Sequence, residues 1–184
     1  SAVTRIRKGE RVVCSVVPAC GTCFYCSHEQ PMLCEPARAG HQAGRLPDGA
    51  PRLMWEGLEV GQFRSVSSFA QYAVVPESGA ISIPAEMPAD RACMLGCAIL
   101  TGIGAVLRVA SVQRGDSVCV VGCGPIGLSV LQGARLAGAG MVMAIDPDAA
   151  RRQRALGFGA DVALFDEPQA LQDAVRKLTS SRGA

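Results

Sequence analysis

From residue 9 to residue 84 the apolar runs are short and close at proline. "GERVVCSVVP" (9–18) reads as a strand ending at Pro18, "SFAQYAVVP" (68–76) alternates as a second strand, and "GAISIP" (79–84) is a third. Residues 35 to 62 carry Gly, Pro and Asp without a clear period and read as loop, with His41 and Trp55 as packing or surface residues. This first part predicts a β-rich, irregular region.

The rhythm changes near residue 90. "ADRACMLGCAILTGIGAVLRVA" (89–110) has a helical pattern interrupted by Gly96, Gly102 and Gly104. Val118 to Val121 form a continuous apolar strand that runs into glycines. A helix follows, with Ile126, Val130 and Ala134 on one stripe. "MVMAID" (141–146) is apolar throughout, as a parallel strand covered on both faces should be. "PDAARRQRALG" predicts a polar-faced helix ending at Gly157, and "DVALF" (161–165) a further strand. Asp166 is placed to cap a last helix whose stripe is Leu171, Val175 and Leu178. The order β-α-β-α-β-α predicts an α/β, doubly wound parallel sheet with right-handed crossovers.

Composition narrows the function. Eighteen basic and sixteen acidic residues are mixed evenly, for a formal charge of +2, and eight aromatics are too few for a base-stacking surface. Nucleic acid is therefore not an expected partner. The start, "SAVTRIRKGE", has no apolar signal segment, and no run approaches eighteen apolar residues, so no membrane partner is expected. Cysteines without a secretion signal point to a reducing, cytoplasmic setting.

Four of the nine cysteines fall within "CGTCFYCSHEQPMLC": Cys20, Cys23, Cys26 and Cys34. Two-residue gaps let successive thiolates face one point, and the longer excursion can bring the fourth sulfur round. Four thiolates about 2.3 Å from a zinc would saturate it, which describes a structural site. An iron–sulfur cluster and a pair of disulfides are the alternatives, although the last gap does not match the bacterial ferredoxin run. His28, inside the loop, reads as an exposed residue.

Gly122-Cys123-Gly124-Pro125-Ile126-Gly127 follows a strand and opens a helix, the context in which G-x-G-x-x-G becomes specific for a dinucleotide. Gly122 permits the turn, Gly124 the approach of a pyrophosphate and Gly127 the close packing of helix and strand, while Pro125 is tolerated in a first helical turn. Asp146 ends the next strand, nineteen residues after Gly127. A carboxylate there accepts ribose hydroxyls and repels a 2′-phosphate, which favours NAD over NADP. Against this stands a plain glycine turn, with Asp146 starting a turn before Pro147.

Taken in order, the four-Cys loop, "GCAILTGIGAV", "GCGPIG" and the Asp of "AIDPD" resemble the zinc-dependent medium-chain alcohol dehydrogenase family over nearly the whole chain. The resemblance implies part of a GroES-like catalytic domain over 1–99, followed by the first half of a Rossmann sheet over 100–184. It also implies that Cys20, Cys23, Cys26 and Cys34 hold a structural zinc, that Cys97 is one ligand of a catalytic zinc and that Thr101 lies beside the nicotinamide. Gly122, Gly124, Pro125, Ile126 and Gly127 would take the pyrophosphate, with Asp146 and Arg151 at the adenosine ribose. Without the family pattern, Cys97 reads as a small core residue like Cys93.

The activity implied is hydride transfer from an alcohol to NAD, giving an aldehyde or ketone, in a homo-oligomer. The family's other two catalytic-zinc ligands, a Cys and a His followed by Glu, have no match here, which implies an internal fragment inactive on its own. A non-catalytic, NAD-binding zinc protein and an iron–sulfur electron carrier are the rival readings. The alcohol itself is left open among primary alcohols, polyols, thiol adducts of formaldehyde and amino alcohols.

Overall fold

The computed structural model describes residues 3–165 and 167–184. The chain divides into two compact units, Ser1–Gly96 and Cys97–Ala184.

In the first unit, β1 (Val12–Cys14) pairs antiparallel with β4 (Ala80–Ser82), matching Val13 to Ile81. Between them lie a short helix α1 (Phe24–Ser27), the helix α2 (Glu35–Ala43) and a hairpin of β2 (Leu53–Trp55) with β3 (Leu58–Val60). The expectation of loop over 35–62 is corrected here. Helix α2 carries its own start and stop: Pro36 and Glu35 in the first turn, where proline loses nothing and a carboxylate meets the positive helix end, and Gly44 at φ 65° as a left-handed cap. The hairpin turns through Glu56 at φ 48° and Gly57 at φ 79°, the two positive values that a tight primed turn requires. Arg45 clamps it with both guanidinium arms on Glu59, at 2.7 and 2.8 Å.

The expected strand at 68–76 does not form. Alternation makes a strand only beside a neighbour, and among the described residues β4 pairs with β1 alone. Phe69, Tyr72 and Val74 stand exposed instead. Trp55 is exposed as well. The small interior of this unit includes Cys34, Ala37, Leu46 and Ala92, and Gln62 and Ser65 are buried in it too.

A long helix, α3 (Ala89–Val109), carries the chain onward. Its glycines do not break it. At Gly96 an added Cβ would lie 2.4 Å from the Cys14 carbonyl oxygen, and at Gly102 2.5 Å from Ser129 Cβ, so these positions admit close neighbours. Two segments, Leu95–Ile99 and Ala105–Val109, widen into π turns. By length and composition alone α3 is apolar enough to cross a membrane, with a mean hydropathy of 1.9 over its best window, although no uninterrupted run of eighteen apolar residues is present, as expected. Its Gly and Thr residues interrupt the run but lower the mean little. Within the second unit its C-terminal half packs on the next helix through Gly102, Ile103 and Val106.

The second unit is a parallel sheet in the order β5 (Ser117–Val121), β6 (Met141–Ile145), β7 (Val162–Leu164), crossed by α4 (Pro125–Leu136) and α5 (Ala149–Gly157) and followed by α6 (Pro168–Leu178). The register sets Val120 beside Ala144 and Ala144 beside Ala163. Val142, Met143 and Ala144 are fully buried, so both faces of β6 are covered, as its unbroken apolar run predicted. The core joins Val120, Cys123, Leu131, Ala134, Val142, Ala144 and Ala155.

The stripe read on α4 is shifted. Ala134 is buried, but Ile126 is 45 % exposed and Leu131 takes the central place. The reason is that α4 is covered on two sides, by the sheet and by α3, where an added Cβ at Gly133 would lie 3.2 Å from Val106. On α6, Leu171 and Val175 are half-buried and Leu178 is exposed. The expected cap Asp166 lies outside the described residues, and Glu167 occupies the position before that helix.

Candidate functional site

The cysteine loop folds round its own sulfurs. Cys23 sits at the start of α1 and Cys34 at the start of α2, so two helix ends bring thiols to one point. The four Sγ atoms all lie within 4.8 Å of one another. Cys20 Sγ and Cys26 Sγ are 3.9 Å apart, far beyond a disulfide bond, and all nine cysteines are free. The backbone N–H groups of Cys20 and Cys23 point at sulfur, the first donating to Cys34 Sγ and the second to Cys20 Sγ, each at 3.3 Å. Donors from Thr22 and Cys23 bring the Cys20 thiol down to about 6, while burial pushes Cys26 up to about 11. His28 lies exposed, its ring on Phe24 and its Nδ1 2.7 Å from the Phe24 carbonyl oxygen, outside the sulfur cluster.

In the second unit the glycine turn joins β5 to α4. Gly122 has φ +95° and donates its N–H to the Ile145 carbonyl at 2.8 Å. Gly124 is the cap of α4, followed by Pro125 in the first turn. A Cβ on Gly127 would stand 1.8 Å from the Gly122 carbonyl oxygen, so only glycine lets the helix start so close to the strand. Ile126 and Pro125 face solvent beside this turn.

Asp146 closes the site from the end of β6, almost wholly buried. Its Oδ2 accepts from Cys123 N–H and its Oδ1 from Asp148 N–H, both at 2.8 Å. These two donors hold its carboxyl below the usual carboxylate range, aided by Arg151, whose Nη1 is 3.9 Å away, and by Arg152. Two residues here escaped the sequence reading. Asp148 caps α5, accepting from Arg151 N–H at 3.0 Å, and a capping residue just before "AARRQRAL" is the signal that could have revealed it. Arg152 donates to the carbonyls of Asp146 and Pro147 and lies over the Phe165 ring at 5.4 Å. No pattern in the sequence announces that clamp.

Cys97 and Thr101 are brought together, one helical turn apart on α3 and both exposed, with Cys97 inside a π turn. The reading of Cys93 as a core residue is corrected: like Cys97 it is exposed, because the apolar pattern of α3 runs round the helix while only part of it is covered. Among the described residues the Cys20 loop is the only place where three or more metal-ligating side chains meet, so Cys97 has no companion ligands there.

Two family models cover most of the chain: an alcohol dehydrogenase GroES-like domain over residues 1–85 and a zinc-binding dehydrogenase domain over residues 125–184. The chain belongs to the zinc-dependent medium-chain alcohol dehydrogenase family. Among its relatives, S-(hydroxymethyl)glutathione dehydrogenase of Saccharomyces cerevisiae is 40% identical over 159 residues, covering 86% of this chain and 41% of that protein. An alcohol dehydrogenase zinc-binding domain protein from Burkholderia ambifaria superposes with a TM-score of 0.86 at 34% identity, over 96% of this chain and 48% of that one. Benzyl alcohol dehydrogenase from Acinetobacter calcoaceticus gives 0.79 at 28% identity, again over 96% and 48%.

The chain thus spans about half the length of the relatives it matches. The three-stranded parallel sheet is the Rossmann half expected of this dehydrogenase family. Zinc is the family's metal, and the sulfur cluster has the donor set to take it, four soft thiolates and no competing oxygen ligand.

The first unit also carries an open cleft of about 660 Å³ beside the cysteine loop, lined by Arg38, His41, Gln62 and Arg64 among others. His41, read from sequence as packing or surface, is half-buried there. Burial and the nearby Arg64 lower its pKa.

Proposed function

We propose that this chain is the structural-zinc and NAD-binding part of an enzyme that oxidises an alcohol to an aldehyde or ketone, with domains at 1–99 and 100–184. The observation that carries the reading is the glycine turn of the second unit, with Gly127 against the Gly122 carbonyl and Asp146 buried beneath it. A turn of that shape sets the N-terminus of the twelve-residue α4, the positive end of its dipole, beside the glycines, where a pyrophosphate is stabilised. Gly122, Gly124, Pro125, Ile126 and Gly127 line that approach, and Asp146 with Arg151 borders the ribose position. The buried negative charge of Asp146 disfavours a 2′-phosphate, which selects NAD. NAD, when bound, accepts the hydride that leaves the alcohol carbon.

Cys20, Cys23, Cys26 and Cys34 hold the structural zinc, which orders a loop too short to fold by itself. Cys97 is assigned as a ligand of a catalytic zinc, and Thr101, one turn on, as a neighbour of the nicotinamide. A lone thiolate does not make a zinc site, so that metal needs ligands beyond those described here.

Metal analysis of the whole enzyme tests the assignment. Cys97→Ala should remove one zinc per subunit and most alcohol oxidation, while Cys23→Ala should remove the other. Full activity and unchanged zinc in Cys97→Ala would overturn the catalytic assignment.

A further inference from the structure

The geometry points to Asp146 as a positioning residue that pins the glycine loop, a role separate from any contact with a ribose. Its consequence for binding rests on the NAD reading above, but the pin is a property of the free protein. Both carboxylate oxygens are in use: Oδ2 on the N–H of Cys123, the middle residue of the turn, and Oδ1 on the N–H of Asp148, each at 2.8 Å. The side chain is only 2 % exposed. Each oxygen keeps a second lone pair, so the two backbone bonds coexist with any hydroxyl the carboxylate accepts, and the pin is a role additional to that contact.

The carboxylate is itself held in place. Arg152 Nη1 donates to the Asp146 carbonyl at 2.7 Å and to the Pro147 carbonyl at 2.9 Å, and Arg151 approaches Oδ2 at 3.9 Å. On the other side, Gly122 N–H is tied to the Ile145 carbonyl, and Cys123 as a whole is 1 % exposed.

Such a pin has a physical purpose. Cys123 lies between two glycines, the residue type that loses most backbone freedom on ordering. A peptide left free there would sample many conformations, and a pyrophosphate would have to order it on binding. A charge-assisted hydrogen bond from a buried carboxylate fixes that conformation in advance, so affinity is gained through preorganisation. The specificity against a 2′-phosphate is kept as well, because the negative charge stays beneath the ribose position whether or not it touches a hydroxyl.

Two measurements on the full chain test this, using Asp146→Ala. The methyl offers no acceptor, so the bonds to Cys123 N–H and Asp148 N–H are both lost. First, amide hydrogen exchange without ligand: exchange at Cys123 should quicken about tenfold in the variant, the scale of one charged hydrogen bond, while Val142 and Ala144 stay protected. Unchanged exchange at Cys123 would overturn the pin, whatever the fate of the cofactor reading. Second, binding of NAD is compared with that of its 2′,3′-dideoxyadenosine analogue, which offers no ribose hydroxyl to Asp146. The pin predicts that the variant loses about tenfold for both. A loss seen with NAD and absent with the analogue would assign Asp146 to ribose contact alone and overturn the positioning role. If the parent binds neither dinucleotide, the NAD reading fails while the exchange result still decides the pin. Should Asp146→Ala unfold, Asp146→Glu, which keeps the charge and shifts its reach, takes its place in both measurements.

Discussion

Replacing Gly127 with alanine separates packing from binding at the glycine turn. The new Cβ would stand 1.8 Å from the Gly122 carbonyl oxygen and 2.9 Å from its carbon, where real Cβ contacts stay beyond 3.0 Å. Both obstructing atoms are backbone, so no rotamer change relieves the clash. The start of α4 must retreat by more than an ångström, or the turn must open and release the Gly122 N–H from the Ile145 carbonyl. Overpacking of this kind costs about 1–3 kcal/mol and the lost hydrogen bond about 1 more. We therefore expect Tm to fall by roughly 8–32 °C, given about 4–8 °C per kcal/mol for a unit of this size.

Gly124→Ala is the internal control. Nothing lies within 4 Å of its added Cβ, and φ −73° with ψ −173° suits any residue. Its stability should stay within about 0.5 kcal/mol of the parent. Its dinucleotide affinity should nevertheless drop sharply, because the methyl occupies the space in which a phosphate approaches the backbone. Thermal melts followed by circular dichroism, with NAD titrations alongside, read both effects. A Gly127→Ala variant that melts with the parent, or a Gly124→Ala variant that binds as the parent does, would refute the reasoning.

Gly104 lies inside α3 at φ −61° and ψ −39° with open space around it, so Gly104→Ala should stabilise the protein by about 0.5–1 kcal/mol in urea melts. Asp146 and Asp161 have carboxyl groups held below their ordinary values, Asp146 first by Cys123 N–H; for Asp161 burial works the other way but is outweighed by Val142 N–H and Arg135. Their folded values lie below the unfolded one, so their contribution is fully present above about pH 4 and lost as pH falls through the depressed folded values. The urea midpoint should therefore drop on acidification below that point, and a midpoint flat with pH would contradict it.

Much of the second unit was legible because its signals are local. The run from Val118 to Val121, the glycines and "MVMAID" fix strand, turn and strand by composition alone, and the parallel sheet follows from their order. The α4 stripe was misplaced because periodicity assumes a single covered face, whereas Gly102 and Gly133 allow α3 to cover a second. In the first unit the cysteine spacing predicted the sulfur cluster, since its chemistry sits within one loop. The alternation at 68–76 misled, because a strand exists only where a partner strand lies beside it. The α2 helix was readable in principle from Glu35, Pro36 and Gly44, but its apolar content is too low for periodicity to mark it. The Asp146–Cys123 bond joins residues 23 apart in the sequence through a backbone donor, and no residue type announces a backbone donor.

The most direct test of the proposed function is alcohol oxidation by the whole enzyme with NAD and NADP supplied separately, followed by the absorbance of the reduced cofactor. The account predicts alcohol-dependent reduction of NAD, a clear preference for NAD over NADP, and a narrowed preference when Asp146 is replaced by Ser. No alcohol-dependent reduction, or a native preference for NADP, would contradict it.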